Sequence, residues 1–264
     1  MEKIKELRDR TGAGIVDCKK ALEEAGNNIE KAVEILRKSG IAKAAKRSER
    51  EASEGVIKVG TNGDNTKGFA VKVSSETDFV ARNEKFQEFG DKVLELAKKN
   101  TPVDLEALLA LNLDSMTVKD TIDNLSGVIG EKMEVSDYAF LEGATVACYS
   151  HMGGKIGVLV ALDKEGLSEL ATDIAMHIAA ANPNYLNSDE VPSEELEKEK
   201  SIYKEQLLKE GKPENIIENI MNGKVQKYYS EVCLLNQEYI KDDKKKVSDI
   251  LGDAKILKFV RFSL

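Results

Sequence analysis

The sequence contains no tryptophan, and phenylalanine and tyrosine together make up only 5% of its 264 residues. Stacking platforms for single-stranded nucleic acid are therefore not evident. Positive charge is also scarce: 39 lysines and arginines face 47 acids, for a formal net charge of −8. Broad nucleic-acid or membrane binding needs a positive field, so neither is expected. The three cysteines, Cys18, Cys148 and Cys233, stand far apart. A reducing compartment permits that pattern, and no disulfide framework can be read from it. No apolar run reaches membrane-spanning length, and the start Met1-Glu2-Lys3-Ile4-Lys5-Glu6 is charged and helical rather than a signal sequence. The expected compartment is the cytoplasm.

Catalytic machinery is missing as well. Gly154-Lys155 has neither the upstream glycine at phosphate-loop spacing nor a following Ser or Thr. Thr11-Gly12-Ala13-Gly14 follows a helical pattern rather than a strand, which excludes a dinucleotide fingerprint. Cys148 and His151 form an isolated C-x-x-H pair without two further ligands. His177 lies in the apolar run Ile174-Ala175-Met176-His177-Ile178-Ala179 and reads as a hydrogen-bonded core residue. No nucleophile–base constellation is legible. The sequence predicts no enzyme, no metal and no cofactor.

What is present is periodic. The length allows two or three modules. Ile4 and Leu7, then Ile15, Cys18, Ala21 and Leu22, then Ile29, Ala32, Val33 and Leu36 mark three short helices over 1–40, with Ser39-Gly40 as the stop. Residues 41–54, rich in alanine and charge, read as a solvated linker helix. From Gly55 the period becomes two. Val56–Val59 and Gly68–Ser74 form a hairpin, a helix follows, and Glu131–Leu141 reads as an irregular strand, so a first core unit spans 55–141.

The pattern recurs from Gly143. Ala144–Tyr149 and Ile156–Leu162 form a second hairpin, with a helix over Leu167–Ala181. This predicts a duplicated unit built from 142–186 and 233–264, completed by the strand-like tail Ile256–Phe262. Residues 187–232 read as an inserted antiparallel helical hairpin turning at Gly211-Lys212-Pro213. The fold class is α+β.

Ser74-Ser75-Glu76-Thr77-Asp78-Phe79-Val80-Ala81-Arg82-Asn83 joins the first hairpin to its helix. Phe79 is a large apolar side chain in a polar connection. Helical spacing pairs it with Phe86, seven positions on, and makes it core; an aromatic on a held loop also suits an interface anchor. Asp78 has its own bland reading, as an acid favoured at a helix start.

Three blocks carry a family resemblance: Leu7-Arg8-Asp9-Arg10-Thr11-Gly12-Ala13-Gly14 with Asp17-Cys18-Lys19-Lys20-Ala21-Leu22; Thr77-Asp78-Phe79-Val80-Ala81; and Ile174-Ala175-Met176-His177-Ile178-Ala179-Ala180. Gly211-Lys212-Pro213 and Leu234-Leu235-Asn236-Gln237 fit the same pattern. In this order the chain resembles bacterial translation elongation factor Ts over nearly its whole length.

The resemblance implies a guanine-nucleotide exchange factor for elongation factor Tu, binding its GDP-bound and nucleotide-free forms. The three-helix module, similar to ubiquitin-associated domains, would dock on the GTPase domain through Arg8, Ile15 and Val16. Thr77, Asp78, Phe79 and Val80 would form a wedge beside the magnesium site, supported by Ile129 and Gly130. His151 and Met152 would match a further contact, and the hairpin at 187–232 resembles the part that some members use for self-association.

On this reading Phe79 becomes an exposed anchor and Phe86 and Phe89 do the core packing. Many relatives have methionines where this chain has Ile15 and Val16, which alters shape but keeps the contact apolar. Many also continue past the last strand with a docking helix; the sequence ends at Leu264, so that contact is expected to be missing. The alternative class is an adaptor or chaperone-like binding module without exchange activity.

Overall fold

Apolar stripes at helical spacing produce α1 (Glu2–Thr11), α2 (Ile15–Glu24) and α3 (Ile29–Ala45), which enclose Leu7, Cys18, Ala21, Leu22 and Ala32. The structure, a computed structural model, describes the backbone of residues 1–264 and every side chain except those of Ile41, Lys43, Glu214 and Asn215. Gly12, at φ 69°, ends α1 in the left-handed conformation. The Asn28 side chain caps α3 by accepting from Lys31 N–H.

The expected stop at Ser39-Gly40 does not occur, and no separate linker helix spans 41–54. Instead α3 runs through Gly40 to Ala45, and 46–53 is turn and coil. Gly40 lies at a helix crossing. A methyl group on Gly127 of the facing helix would stand 2.5 Å from Gly40 Cα. The glycine is there for close approach, not for termination.

Alternation then yields β1 (Glu54–Thr61) and β2 (Lys67–Ser75), followed by α4 (Asp78–Ala81), α5 (Glu84–Asn100), α6 (Leu105–Ala110), the short pair β3 (Asn112–Leu113) and β4 (Met116–Thr117), α7 (Val118–Ile129) and β5 (Met133–Glu142). The first sheet has the order β1-β2-β5, antiparallel throughout. Next come β6 (Thr145–His151), β7 (Ile156–Leu162) and α8 (Ser168–Ala181). The second sheet is closed by the tail strand, in the order β10-β7-β6, with β10 spanning Ile256–Ser263. Each unit is thus a hairpin, a helix and a third antiparallel strand, as the repeat predicts.

The two sheets pack face to face, which the repeat did not reveal. Phe69, Val71 and Val73 meet Phe86, Phe89, Val93 and Ala97 of α5 on the outer side of the first sheet. Val158, Val160 and Leu162 meet Ala171, Ile174 and Ile178 of α8 on the outer side of the second. Between the sheets lie Ala70, Leu141, Val146, Leu159 and Ala161. Close approach needs Gly157, where a methyl would stand 2.4 Å from Ile57 Cγ2. This burial on both faces explains the uninterrupted apolar run of β7.

The insertion is a helical pair, α9 (Ser193–Lys209) and α10 (Glu214–Val232). At its base Glu195 accepts hydrogen bonds from the hydroxyls of Tyr185, at 2.6 Å, and Tyr228. The chain returns through β8 (Glu238–Tyr239), β9 (Asp242–Lys246) and α11 (Val247–Ile250) to β10. His177, fully buried on α8, accepts from Ile240 N–H at Nδ1 (3.3 Å), so Nε2 carries the proton toward Gln237 Oε1 at 3.0 Å. Both nitrogens have partners inside the second unit.

Candidate functional site

The wedge segment begins where β2 runs out. Ser75 is its last residue, and its hydroxyl donates to the Thr77 carbonyl at 3.0 Å. Thr77 caps α4: its Oγ1 accepts from Val80 N–H at 3.4 Å. One helical turn follows, and its residues diverge by about 100° each. Val80 and Ala81 are buried in the cluster beneath α5. Phe79 points the other way and is 85% exposed. A second cap, Asn83, accepts from Lys85 N–H at 3.0 Å and starts α5 afresh, so Phe79 leaves the stripe of Phe86 and Phe89. Asp78 pairs with Arg82 at 2.9 Å, an exposed contact within the same turn.

Two carboxylates cross between this turn and the one leading into β5. Glu131 accepts from Thr77 N–H at 3.1 Å and from Thr77 Oγ1 at 2.9 Å. In return Glu76 accepts from Lys132 N–H at 2.5 Å, and its carboxylate also holds Arg50 at 3.1 Å. The last backbone pair of the ladder is Ser75 with Met133, so the side chains continue the pairing after the strands diverge. Farther back, Ser126 Oγ donates to the Glu131 carbonyl at 2.5 Å, and Arg47 donates to the Ser126 carbonyl at 3.3 Å.

The hydrogen bond from Lys132 N–H, helped by Arg50 and opposed by burial, holds the Glu76 carboxyl below the usual carboxylate range. A depressed folded value means that its stabilisation is present above the unfolded value, near pH 4.3, and is lost as pH falls through the folded one. Glu76→Gln is therefore expected to flatten the fall in thermal midpoint below about pH 4. Matching pH slopes for parent and variant in calorimetry would show that Glu76 contributes nothing there.

The other predicted residues fall into two groups. Ile129 packs against the first core cluster, and Gly130, at φ 92°, caps α7 immediately before Glu131. His151 and Met152 lie at the same end of the first sheet as the wedge. The Gly154 carbonyl of their loop accepts from Ile57 N–H at 2.7 Å, and Glu54 pairs with Ser75 in the ladder. Met152 is 67% exposed, in the left-handed conformation at φ 51°. Thus Thr77–Val80, Ile129 and Gly130, and the loop of His151 and Met152, gather toward the end of the first sheet where Glu54 pairs with Ser75.

Arg8, Ile15 and Val16 sit apart, on the N-terminal helices. All three are exposed, Ile15 by 57% and Val16 by 66%. Their module meets the core along α7: α3 crosses it at Gly40 and Gly127, and Arg37 pairs with Asp120 at 2.5 Å. Strand alternation sends Cys148 toward the inter-sheet cluster and His151 outward, where its Nδ1 meets Tyr149 Oη at 3.0 Å. Among the described residues, no group of three or more His, Cys, Asp or Glu side chains is placed to hold a metal.

Glu76, Glu131, Arg47 and Arg50 were not singled out by the sequence. The two arginines read as part of a solvated run, and Glu131 as the start of a strand. Glu76 stands just before Thr77, but Glu131 follows the glycine that ends α7, 54 residues further on. Nothing local says that they reach across.

The sequence model of the family described as Elongation factor TS matches residues 76–264. An elongation factor Ts from Chloroherpeton thalassium is 46% identical over 260 residues, 95% of this chain and 90% of the relative. One from Nitratiruptor sp. is 47% identical, covering 99% of this chain and 91% of the relative. One from Deinococcus deserti is 44% identical, covering 100% and 99% respectively. Among the described residues, no helix is long and apolar enough to cross a membrane.

Proposed function

The chain belongs to the elongation factor Ts family, and on that footing we propose that it binds elongation factor Tu and promotes GDP release, with Asp78-Phe79 as the inserted wedge. The observation that carries this reading is Phe79: a large apolar side chain, 85% exposed, on a turn whose neighbours Val80 and Ala81 are buried. A water-exposed aromatic on a fixed scaffold is suited to a partner's pocket. No bond chemistry is required of the factor. It must bind the nucleotide-free GTPase better than the GDP-bound form, and by linkage bound GDP then weakens the factor by the same ratio.

Burial of Phe79 in the partner would contribute about 1.5–3 kcal/mol. At about 1.4 kcal/mol per decade, that is a ten- to hundredfold effect if it is all differential. Larger acceleration requires the other contacts. Ile129, Gly130, His151 and Met152 would extend the wedge surface, and Arg8, Ile15 and Val16 would dock the N-terminal helices on the GTPase domain. The work would be done in the cytoplasm, where translation takes place.

Stopped-flow release of a fluorescent GDP from elongation factor Tu tests the proposal. A saturable acceleration with rising factor concentration is expected. Binding without acceleration would replace exchange with the adaptor reading.

A further inference from the structure

On the reading that α4 is the exchange wedge, we propose that Glu76 and Glu131 are positioning residues that fix the pose of Phe79, tethered through Arg47 and Arg50 to the segment leaving the N-terminal helices. A four-residue helix has no stability of its own, since one turn fixes many dihedrals for very few hydrogen bonds. What orders α4 is therefore its surroundings. Val80 and Ala81 anchor one side by burial, and Glu131 anchors the start by engaging both Thr77 N–H and Thr77 Oγ1. Bonds to an ionised acceptor are the stronger kind.

The geometry is reciprocal. Glu131 leaves the β5 side and grips the wedge side, while Glu76 leaves the wedge side and grips Lys132 N–H. Either carboxylate alone would leave one of the two turns free to swing about the end of the ladder. Together they close a small ring in which Phe79 has one direction to face. Arg50 on Glu76, and Arg47 on the Ser126 carbonyl, bring the chain from α3 into the same ring. Displacement of the N-terminal helices would thus pull on the residues that orient the wedge. Docking of one contact region and insertion of the other become mechanically linked.

A positioning role differs from a contact role in what it moves. Losing a contact made equally in every bound state weakens binding alone; losing the pose lowers the fraction of bound factor in which Phe79 is competent, and the limiting rate falls with it. Glu131→Ala is expected to lower the limiting rate of GDP release about tenfold, equal to about 1.4 kcal/mol. The half-saturating concentration should change less than about threefold, under 0.7 kcal/mol by the same conversion. Glu131→Gln, which keeps an acceptor oxygen, should restore much of the rate. Amide hydrogen exchange in the variant should rise over residues 77–82 and stay unchanged in α5.

A Glu131→Ala protein with parental limiting rate and parental exchange over 77–82 would overturn the proposal. If that variant does not fold, Thr77→Val removes the hydroxyl half of the same contact and is held to the same two readouts. If the parent itself does not accelerate GDP release, the exchange reading fails. The amide measurement then decides the clasp independently.

Discussion

Phe79→Ala is expected to lower the limiting rate of stimulated GDP release ten- to hundredfold while leaving the fold intact. The two halves of this prediction come from one number. At 85% exposure Phe79 contributes little to the isolated protein's core, so truncation should change stability by no more than about 0.5 kcal/mol. In a complex the same ring would be buried, and about 1.5–3 kcal/mol of transfer energy would be lost. Calorimetry and stopped-flow release on one preparation check both. A variant with parental release kinetics would remove Phe79 from the mechanism. Asp78→Ala should be similarly mild in the free protein, because its exposed pair with Arg82 belongs to a class that contributes about 0.3–0.5 kcal/mol.

Much of this architecture is legible from sequence because its signals are local. Period-two runs located β1 and β2, and the return of the same pattern located β6 and the uninterrupted apolar β7. The third strand of the second unit was legible through the repeat: one β-strand tail remained, and one hairpin lacked a partner. The face-to-face packing of the sheets was not, since Ala70 and Gly157 are small residues whose meaning depends on what stands opposite. Gly40 was misread for a related reason. After a lysine and a serine, a glycine looks like a helix stop, and only Gly127, far along the chain, reveals a crossing.

The wedge was legible as an anomaly, one aromatic among polar residues. Pattern alone placed it in the core, and the structure turns it out because Asn83 restarts the helix. The clasp that holds it was invisible, since Glu131 and Thr77 are 54 residues apart. Sequence periodicity reports which face a residue occupies, not which distant hydrogen bond its carboxylate completes.

The same crossing supplies a second large effect with an internal control. Gly127→Ala would place a methyl 2.5 Å from Gly40 Cα and 2.9 Å from Gly40 O, both backbone atoms that cannot step aside without moving α3. Overpacking of this kind costs about 1–3 kcal/mol, against at most about 1 kcal/mol gained in helix propensity. Gly40→Ala meets chiefly the Asn124 Oδ1 atom at 3.2 Å, a side-chain end that can rotate. It should therefore be neutral or slightly stabilising. Gly127→Ala is thus expected to loosen the N-terminal helices from α7, seen as faster proteolysis within 46–53 and a lower thermal midpoint. Because Ile15 and Val16 ride on those helices, the half-saturating concentration in the exchange assay should also rise, by about tenfold for a loss of about 1.4 kcal/mol. Gly40→Ala should leave it unchanged. Equal behaviour of the two alanines would mean that α3 and α7 are not held in contact at this point, and the crossing could then have no part in placing one contact region relative to the other.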